Sequence, residues 1–518
     1  MHRPDLIHTI QSTPQWDILV IGGGATGLGI ALEARTRGYS VLLLEKADFA
    51  SGTSSRSTKL IHGGVRYLAQ GDVALVREAG TEREILYSIA PHLVHDLQFI
   101  IPVYTWWSRL KYTIGLKLYD WVSGKLSWGH SEFVKASEAP ARLENVRTTN
   151  LLGAVLYHDG QFDDARLAIN LAQTIHHAGG TAINYFQVNG LLKNSMGQVC
   201  GVEGVDRLSG QQYSINARAV VNATGVFADN VLAMDNPDAQ PAIRPSQGIH
   251  LVVDRKFLPG GNALMIPETS DGRVLFGVPW HNRVILGTTD TPVDQVTDEP
   301  QATVSEVDFI LQTAAEYLVK APERQDVLSV YAGLRPLAAQ QNNQGGTKEI
   351  SRSHKIERSA SGLFTILGGK WTTYRRMGED MVSYIEKAGG WAASRSTTRN
   401  KHIHGYMPRP DMNNPLYYYG SDLARIQTLI DADPDGWISR RIPLHRAQVE
   451  WAVKYEMVQT LEDMLSRRCR ALLMDARETV HIAPAVAEIL AKHLNKDKAW
   501  ADEQLNSFRS LAAQYILN

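Results

Sequence analysis

The run Trp16 to Ile21 (WDILVI) is apolar at every position but one, the pattern of a strand buried on both faces within a parallel sheet. Gly22 to Gly27 (GGGATG) interrupts it. Leu28 to Gly38 then carries apolar residues at helical spacing and closes on glycine. A second strand, Ser40 to Leu44, ends on Glu45. Val73 to Ile89 again has helical spacing, and Leu97 to Trp128 reads as a loop-rich zone holding four tryptophans. Asp159 to Ala178 predicts a capped amphipathic helix that stops at Gly179-Gly180. Strand-like segments follow at Ala182 to Leu192, Gln198 to Asp206 and Ala217 to Val221, the last leading into Asn222-Ala223-Thr224-Gly225. Short strands dominate Gly248 to Thr289. Leu363 to Leu367 is a strand running into Gly368-Gly369-Lys370, with a helix from about Thr372 to Ala388. From Ser421 to Leu517 the spacing is helical, with no glycine after Gly436.

This order predicts an α/β fold with α+β character in three parts. Residues 1–96, 150–240 and 340–390 form a discontinuous Rossmann-like dinucleotide-binding domain. Residues 97–149 and 241–339 form a substrate domain on a largely antiparallel sheet, and residues 391–518 a helical C-terminal domain. A length of 518 residues, with 44% hydrophobic and 21% charged residues, fits two or three globular domains.

The formal net charge of −1 excludes a global field that recruits nucleic acid. Two cysteines, Cys200 and Cys469, far apart and outside any C-x-x-C pair, argue against a disulfide framework or a cysteine metal site. A reducing cytoplasmic setting fits. No secretion signal is visible, and no stretch reaches the roughly 20 apolar residues of a spanning helix.

The glycine turn carries the first chemistry. Gly22, Gly24 and Gly27 stand as G-x-G-x-x-G between a strand and a helix. Gly22 permits the tight turn, Gly24 lets the backbone approach a pyrophosphate, and Gly27 lets helix and strand pack closely. The helix N-terminus attracts phosphate charge, and Glu45 sits where a carboxylate meets an adenosine ribose. The motif indicates a dinucleotide without deciding between FAD and NAD.

Seven blocks in order settle that choice by resemblance: the glycine motif, SSRSTKLIHGGVRYL (Ser54 to Leu68), DGQFDDARL (Asp159 to Leu167), NATG (Asn222 to Gly225), GTTDTP (Gly287 to Pro292), AGLRPL (Ala332 to Leu337) and GGKWTTYR (Gly368 to Arg375). Together they closely resemble the flavin-dependent glycerol-3-phosphate dehydrogenases, and LEDMLSRRCRAL (Leu461 to Leu472) resembles that family's helical C-terminal domain. The resemblance covers nearly the whole chain. It implies an FAD-binding domain and oxidation of sn-glycerol 3-phosphate to dihydroxyacetone phosphate. It also implies delivery of electrons to quinone by an enzyme resting peripherally on the inner, cytoplasmic face of the cell membrane. A homodimer stays open.

A phosphorylated alcohol needs cations, arginine forks above all. The resemblance places Arg66, Arg335 and Lys370 at the substrate site, with Tyr67 and Thr373 nearby. Oxidising the alcohol also needs a base for the hydroxyl proton. His62 is the first candidate, His250 the second, and Lys370 a third if burial depresses its pKa. Ser55, Ser57 and Thr58 are candidates for the pyrophosphate or flavin, beside Ala223 and Gly225. Gly368, Gly369 and Thr372 are expected at the flavin ring edge. The bland alternatives are turn chemistry for the hydroxyls and solvated surface charge for the arginines.

Tyr104 to Val122 carries Leu110, Ile114 and Leu118 every fourth residue, beside Arg109, Lys111 and Lys117. That is the pattern of a helix lying in a lipid interface, or of a helix packed on the substrate domain. Asp431 to Gly436 imitates the start of a calcium loop, but Ile442 stands where a bidentate Glu is needed, so no metal is expected. Three rival readings remain: an oxidase of the same family making hydrogen peroxide, an amine oxidase of the same flavin architecture, and a non-catalytic flavin-bearing membrane module.

Overall fold

The computed structural model describes residues 1–62, 73–123, 128–269, 272–339 and 354–517. Arg66 and Tyr67 lie outside the described residues.

Two sheets carry the architecture. In the first, the order is Lys355–Arg358, Phe364–Leu367, Gln212–Asn222, Trp16–Ile21, Val41–Leu44 and Thr181–Ile183. All neighbours after Phe364–Leu367 run parallel, with Ile18 beside both Val41 and Ala219. Trp16 and Ile18 to Ile21 are buried, as a strand covered on both faces requires. The helices Ala25–Thr36, Asp164–His177 and Tyr374–Gly389 cover this sheet and share its core. Phe186–Lys193 and Val199–Asp206 form an antiparallel meander that ends on Gln212–Asn222.

The second sheet runs in the order Thr291–Pro292, Ile243–Asp254, Arg283–Gly287, Leu275–Trp280, Ala263–Ile266, Val94–Val103, Gly153–Phe162 and Leu60–Ile61. Val327–Ala338 pairs with Ile243–Asp254, and Glu132–Lys135 with Gly153–Phe162. Pairing is antiparallel except between Ala263–Ile266 and Val94–Val103. This sheet recruits more of the chain than the sequence pattern suggests. Gly153–Phe162, expected in the dinucleotide part, pairs along its whole length with Val94–Val103. Leu60–Ile61 joins it too. The predicted helix over Asp159 to Ala178 therefore starts only at Asp164, capped by Asp163, which accepts the Arg166 backbone N–H at 3.2 Å. Among the described residues, the zone from Leu97 to Trp128 is not loop-rich: it holds most of the strand Val94–Val103 and the helix Trp106–Ser123.

The C-terminal part is helical, with Leu423–Asp431, Arg446–Tyr455, Ala476–His493 and Lys498–Ala513, a wide π turn at Asp463–Arg468 and a small ribbon of Trp437–Ser439 with Leu444–His445. Leu461, Leu465, Leu472 and Val486 share a core with Phe99, Val252 and Ile285 of the second sheet. Among the described residues, no helix is long and apolar enough to cross a membrane.

Candidate active site

A cavity of about 820 Å³ extends from the glycine turn to the end of the second sheet. Its first wall is backbone. Gly22 sits at φ +111°, and a Cβ there would stand 2.7 Å from the Ala223 carbonyl oxygen. At Gly27 a Cβ would come within 1.9 Å of the Gly22 carbonyl oxygen, so only glycine lets the helix start this close to the strand. Gly27 itself does not line the cavity, which suits its packing role. The helix Ala25–Thr36 points its N-terminus at the cavity, where Ala25 and Gly24 are lining residues.

Glu45 lies at the end of the second strand and lines the cavity. Its carboxylate accepts the backbone N–H of Gly23 at 2.6 Å and of Ala47 at 2.9 Å. Burial raises its pKa, against the two backbone hydrogen bonds, which lower it. Each oxygen keeps a second lone pair for a ribose hydroxyl. Ser54, the first residue of the SSRSTKLIHGGVRYL block, accepts the Ala25 N–H at 3.0 Å, and its carbonyl accepts from Trp371 Nε1 at 2.8 Å. That pair joins the glycine turn to the segment Gly368 to Thr372. Gly368, Gly369, Lys370 and Thr372 all line the cavity, as do Ala223 and Gly225. The helix that follows begins at Tyr374, after one 3₁₀ turn at Trp371–Thr373.

The far end is built by side chains from the second sheet. Ile243–Asp254 and Val327–Ala338 pair so that His250 faces Tyr331 and Ser246 faces Arg335. The His250 ring stacks on Tyr331 at 4.9 Å, and the Tyr331 hydroxyl donates to the Ser57 carbonyl at 3.1 Å. His250 Nε2 lies 2.8 Å from Thr58 Oγ1. Nδ1 is buried and has no hydrogen-bond partner among the described residues, which leaves Nε2, on the Thr58 side, as the nitrogen engaged in the site. Burial, with Arg335 and Lys59 adding to it, pushes the His250 pKa well below 6.5, so the ring is neutral at pH 7. His62, half-buried, lines the same cavity.

Arg335 is held rigidly. Its guanidinium donates to the Gln247 carbonyl at 3.2 Å, Asp290 at 3.1 Å, Thr288 Oγ1 at 3.0 Å and the Thr289 carbonyl at 2.9 Å. Asp290 in turn accepts from Ser246 Oγ. Thr288 and Asp290 lie within the GTTDTP block, but their type gave no hint that they would orient an arginine.

Some expected residues sit elsewhere. Ser57 lines the cavity, yet its hydroxyl donates to Asp164 at 2.6 Å and accepts the Lys59 N–H at 3.0 Å, so it shapes the loop. Ser55 is buried off the cavity, and its carbonyl accepts from Lys59 Nζ at 2.6 Å. Thr373 is also buried outside the lining, its hydroxyl donating to the Lys370 carbonyl at 3.4 Å. Ser55 was expected from a run of small polar residues, which does not reveal which hydroxyl faces inward, and Thr373 from the resemblance. Lys59 and Asp164, both fully buried and paired at 2.7 Å, form the floor beneath this loop.

The residues fit a dinucleotide: a cradle closed to any added Cβ, a helix N-terminus, and a buried acid at the second strand. Comparison with known proteins agrees. The family described as FAD dependent oxidoreductase matches residues 17–375, and the C-terminal domain of alpha-glycerophosphate oxidase matches residues 365–501. The mitochondrial glycerol-3-phosphate dehydrogenase of Homo sapiens is 38% identical over 540 residues, covering 97% of this chain and 74% of that protein. That of Schizosaccharomyces pombe is 35% identical, covering 97% and 88%. The solved glycerol-3-phosphate dehydrogenase from Bacillus halodurans, complexed with FAD, is 28% identical with a TM-score of 0.81, covering 99% of this chain and 98% of that one. The L-alpha-glycerophosphate oxidase from Mycoplasma pneumoniae, 14% identical with a TM-score of 0.58, shares the fold. With identity above a third along nearly its whole length, the chain belongs to the FAD-dependent glycerol-3-phosphate dehydrogenase family.

Proposed function

We propose that the protein oxidises sn-glycerol 3-phosphate to dihydroxyacetone phosphate and passes the electrons to a quinone at a membrane surface. The carrying observation is the meeting, in one cavity, of the dinucleotide cradle with Arg335, Lys370 and a neutral His250. FAD, when bound, supplies the two-electron acceptor. Gly22 to Ala25 would hold its pyrophosphate at the helix N-terminus, and Glu45 its ribose.

Lys370 binds the substrate phosphate and Arg335, whose terminal N–H groups are engaged by Gln247, Asp290, Thr288 and Thr289, adds its positive charge. His250 Nε2 takes the hydroxyl proton as the carbinol carbon is oxidised. The neutral ring suits that role, since an imidazolium has no lone pair to offer. His62 lines the same cavity and is the competing base. Arg66 and Tyr67 belong to this reading by resemblance alone.

The quinone acceptor and a peripheral place on the membrane are supported by the helix Trp106–Ser123. Trp106 and Trp107 are 71% and 73% exposed, and Leu110, Ile114 and Leu118 extend the same apolar face. Lys111 stands beside it, in an exposed ion pair with Glu268 at 3.2 Å. Aromatic residues flanked by cations suit a headgroup boundary. A second reading, reduction of oxygen to hydrogen peroxide, draws on the match of residues 365–501 to an oxidase domain.

Turnover of sn-glycerol 3-phosphate under argon with a short-chain quinone, beside turnover in air, tests the proposal. Dihydroxyacetone phosphate formed with the quinone, and little peroxide in air, is the expected result. Rapid peroxide formation with no quinone reduction contradicts the acceptor assignment.

A further inference from the structure

The segment Leu461 to Leu472 (LEDMLSRRCRAL) has no part in the chemistry above, yet it brings three buried arginines against the cofactor half of the molecule. Arg467, Arg468 and Arg470 are at most 3% exposed. Arg467 Nε donates to Asp48 Oδ2 at 2.6 Å, and Arg468 binds the same carboxylate through both terminal nitrogens at 2.6 and 2.9 Å. Asp48 is fully buried and lies three residues past Glu45, where the chain has no regular structure. Arg470 pairs with Asp163 at 2.9 Å. The next residue, Asp164, holds Lys59 and Ser57.

These contacts grip one loop at both ends. Arg467 and Arg468 fix its start at Asp48. Arg470, acting through Asp163, Asp164 and Lys59, fixes its end. A third tie crosses between them: Arg56 donates to Glu299 at 2.5 Å, and the Tyr515 hydroxyl donates to the other Glu299 oxygen at 2.6 Å. The residues so enclosed include Ser51, Thr53 and Ser54, which line the cofactor end of the cavity, and Thr58, which meets His250.

Buried ion pairs add little net stability over apolar packing of the same volume, but they hold a fixed geometry. A loop ordered before its ligand arrives spares binding the cost of ordering it. We propose that the C-terminal segment Arg467 to Arg470, with Tyr515, is a clasp that preorders the loop Lys46 to Thr58 and sets how tightly FAD is retained. Arg467, Arg468, Arg470 and Tyr515 are positioning residues, since they act through Asp48, Asp163 and Glu299.

The test uses the full-length holoenzyme with Arg467→Lys, which keeps the charge and loses the fork, and Tyr515→Phe, which loses one hydrogen bond. FAD affinity is measured by flavin fluorescence after equilibrium dialysis. In a separate thermal ramp, flavin release and far-UV circular dichroism are followed together. Arg467→Lys is expected to raise the FAD Kd about tenfold, and Tyr515→Phe about threefold. Flavin should leave each variant before helical signal is lost. If Arg467→Lys does not fold, Tyr515→Phe decides by the same two readings. A Kd within about 1.5-fold of wild type in every folded variant, with release still coincident with unfolding, overturns the clasp.

Discussion

The two ends of the cavity are made of different material. At the cofactor end the contacts come mainly from backbone, at Gly22, Gly24 and Ala25, with the Glu45 carboxylate beside them, and the tolerance is steric: a Cβ on Gly27 has 1.9 Å to a carbonyl oxygen. At the substrate end they come from side chains of separate segments, Thr58, His250, Thr288 to Asp290 and Arg335, held by hydrogen bonds near 3 Å. A backbone site fails as a whole when the turn cannot close. A side-chain site loses one function at a time. Substitutions at the two ends should therefore separate cofactor retention from chemistry.

The largest effect is expected from Gly27→Ala, where overpacking against the Gly22 carbonyl costs about 3 kcal/mol. The purified protein should be colourless or aggregated, and a yellow protein of wild-type absorbance ratio breaks the comparison. Next is His250→Asn, expected to keep its flavin but slow flavin reduction about 10²- to 10⁴-fold, while His62→Asn retains most of the rate. The pH profile sharpens that assignment. A His250 pKa held below 6.5 leaves the neutral, proton-accepting ring populated from pH 6.5 upward, so the limiting reduction rate should be flat there and fall only on the acid side. A rate still climbing between pH 7 and 9 contradicts it.

Arg335→Lys should lower kcat/KM about tenfold to a hundredfold with FAD content unchanged, because a flexible ammonium cannot reproduce the four hydrogen bonds that hold this charge in place. The smallest expected effect comes from the paired Trp106→Ser and Trp107→Ser variant. It should weaken binding to anionic vesicles about tenfold while turnover with a soluble acceptor stays at the wild-type rate. Equal vesicle binding removes this helix from the membrane reading.

The cofactor end was the more legible one for the same reason that it is backbone-made. Strand, glycine turn, helix and acid are contiguous, so Gly22, Gly27 and Glu45 declare themselves by spacing. The substrate end is assembled by pairing residues far apart: the register of Ile243–Asp254 on Val327–Ala338 sets Arg335 opposite Ser246 and His250 opposite Tyr331. No local pattern carries that register. Thr288 and Asp290 were visible only as members of a block, and Ser55 and Ser57 looked as eligible as Thr58 because residue type does not record direction. Gly153–Phe162 was misplaced because its acid-rich end, Asp159 to Asp164, resembles a helix start from Asp159 onward, whereas the pairing with Val94–Val103 extends the strand to Phe162. Asp48, Arg467 and Arg468 escaped notice because buried ion pairs look, in sequence, like solvated charge.

The central claim is that a cofactor cradle and a phosphate-and-base site meet in one cavity. Anaerobic titration of the yellow holoenzyme with sn-glycerol 3-phosphate tests it most directly, by following the flavin absorbance band. The account predicts bleaching that is complete with sn-glycerol 3-phosphate and absent with glycerol or lactate. A flavin that stays oxidised at saturating sn-glycerol 3-phosphate contradicts it, even though the fold and the cradle would stand.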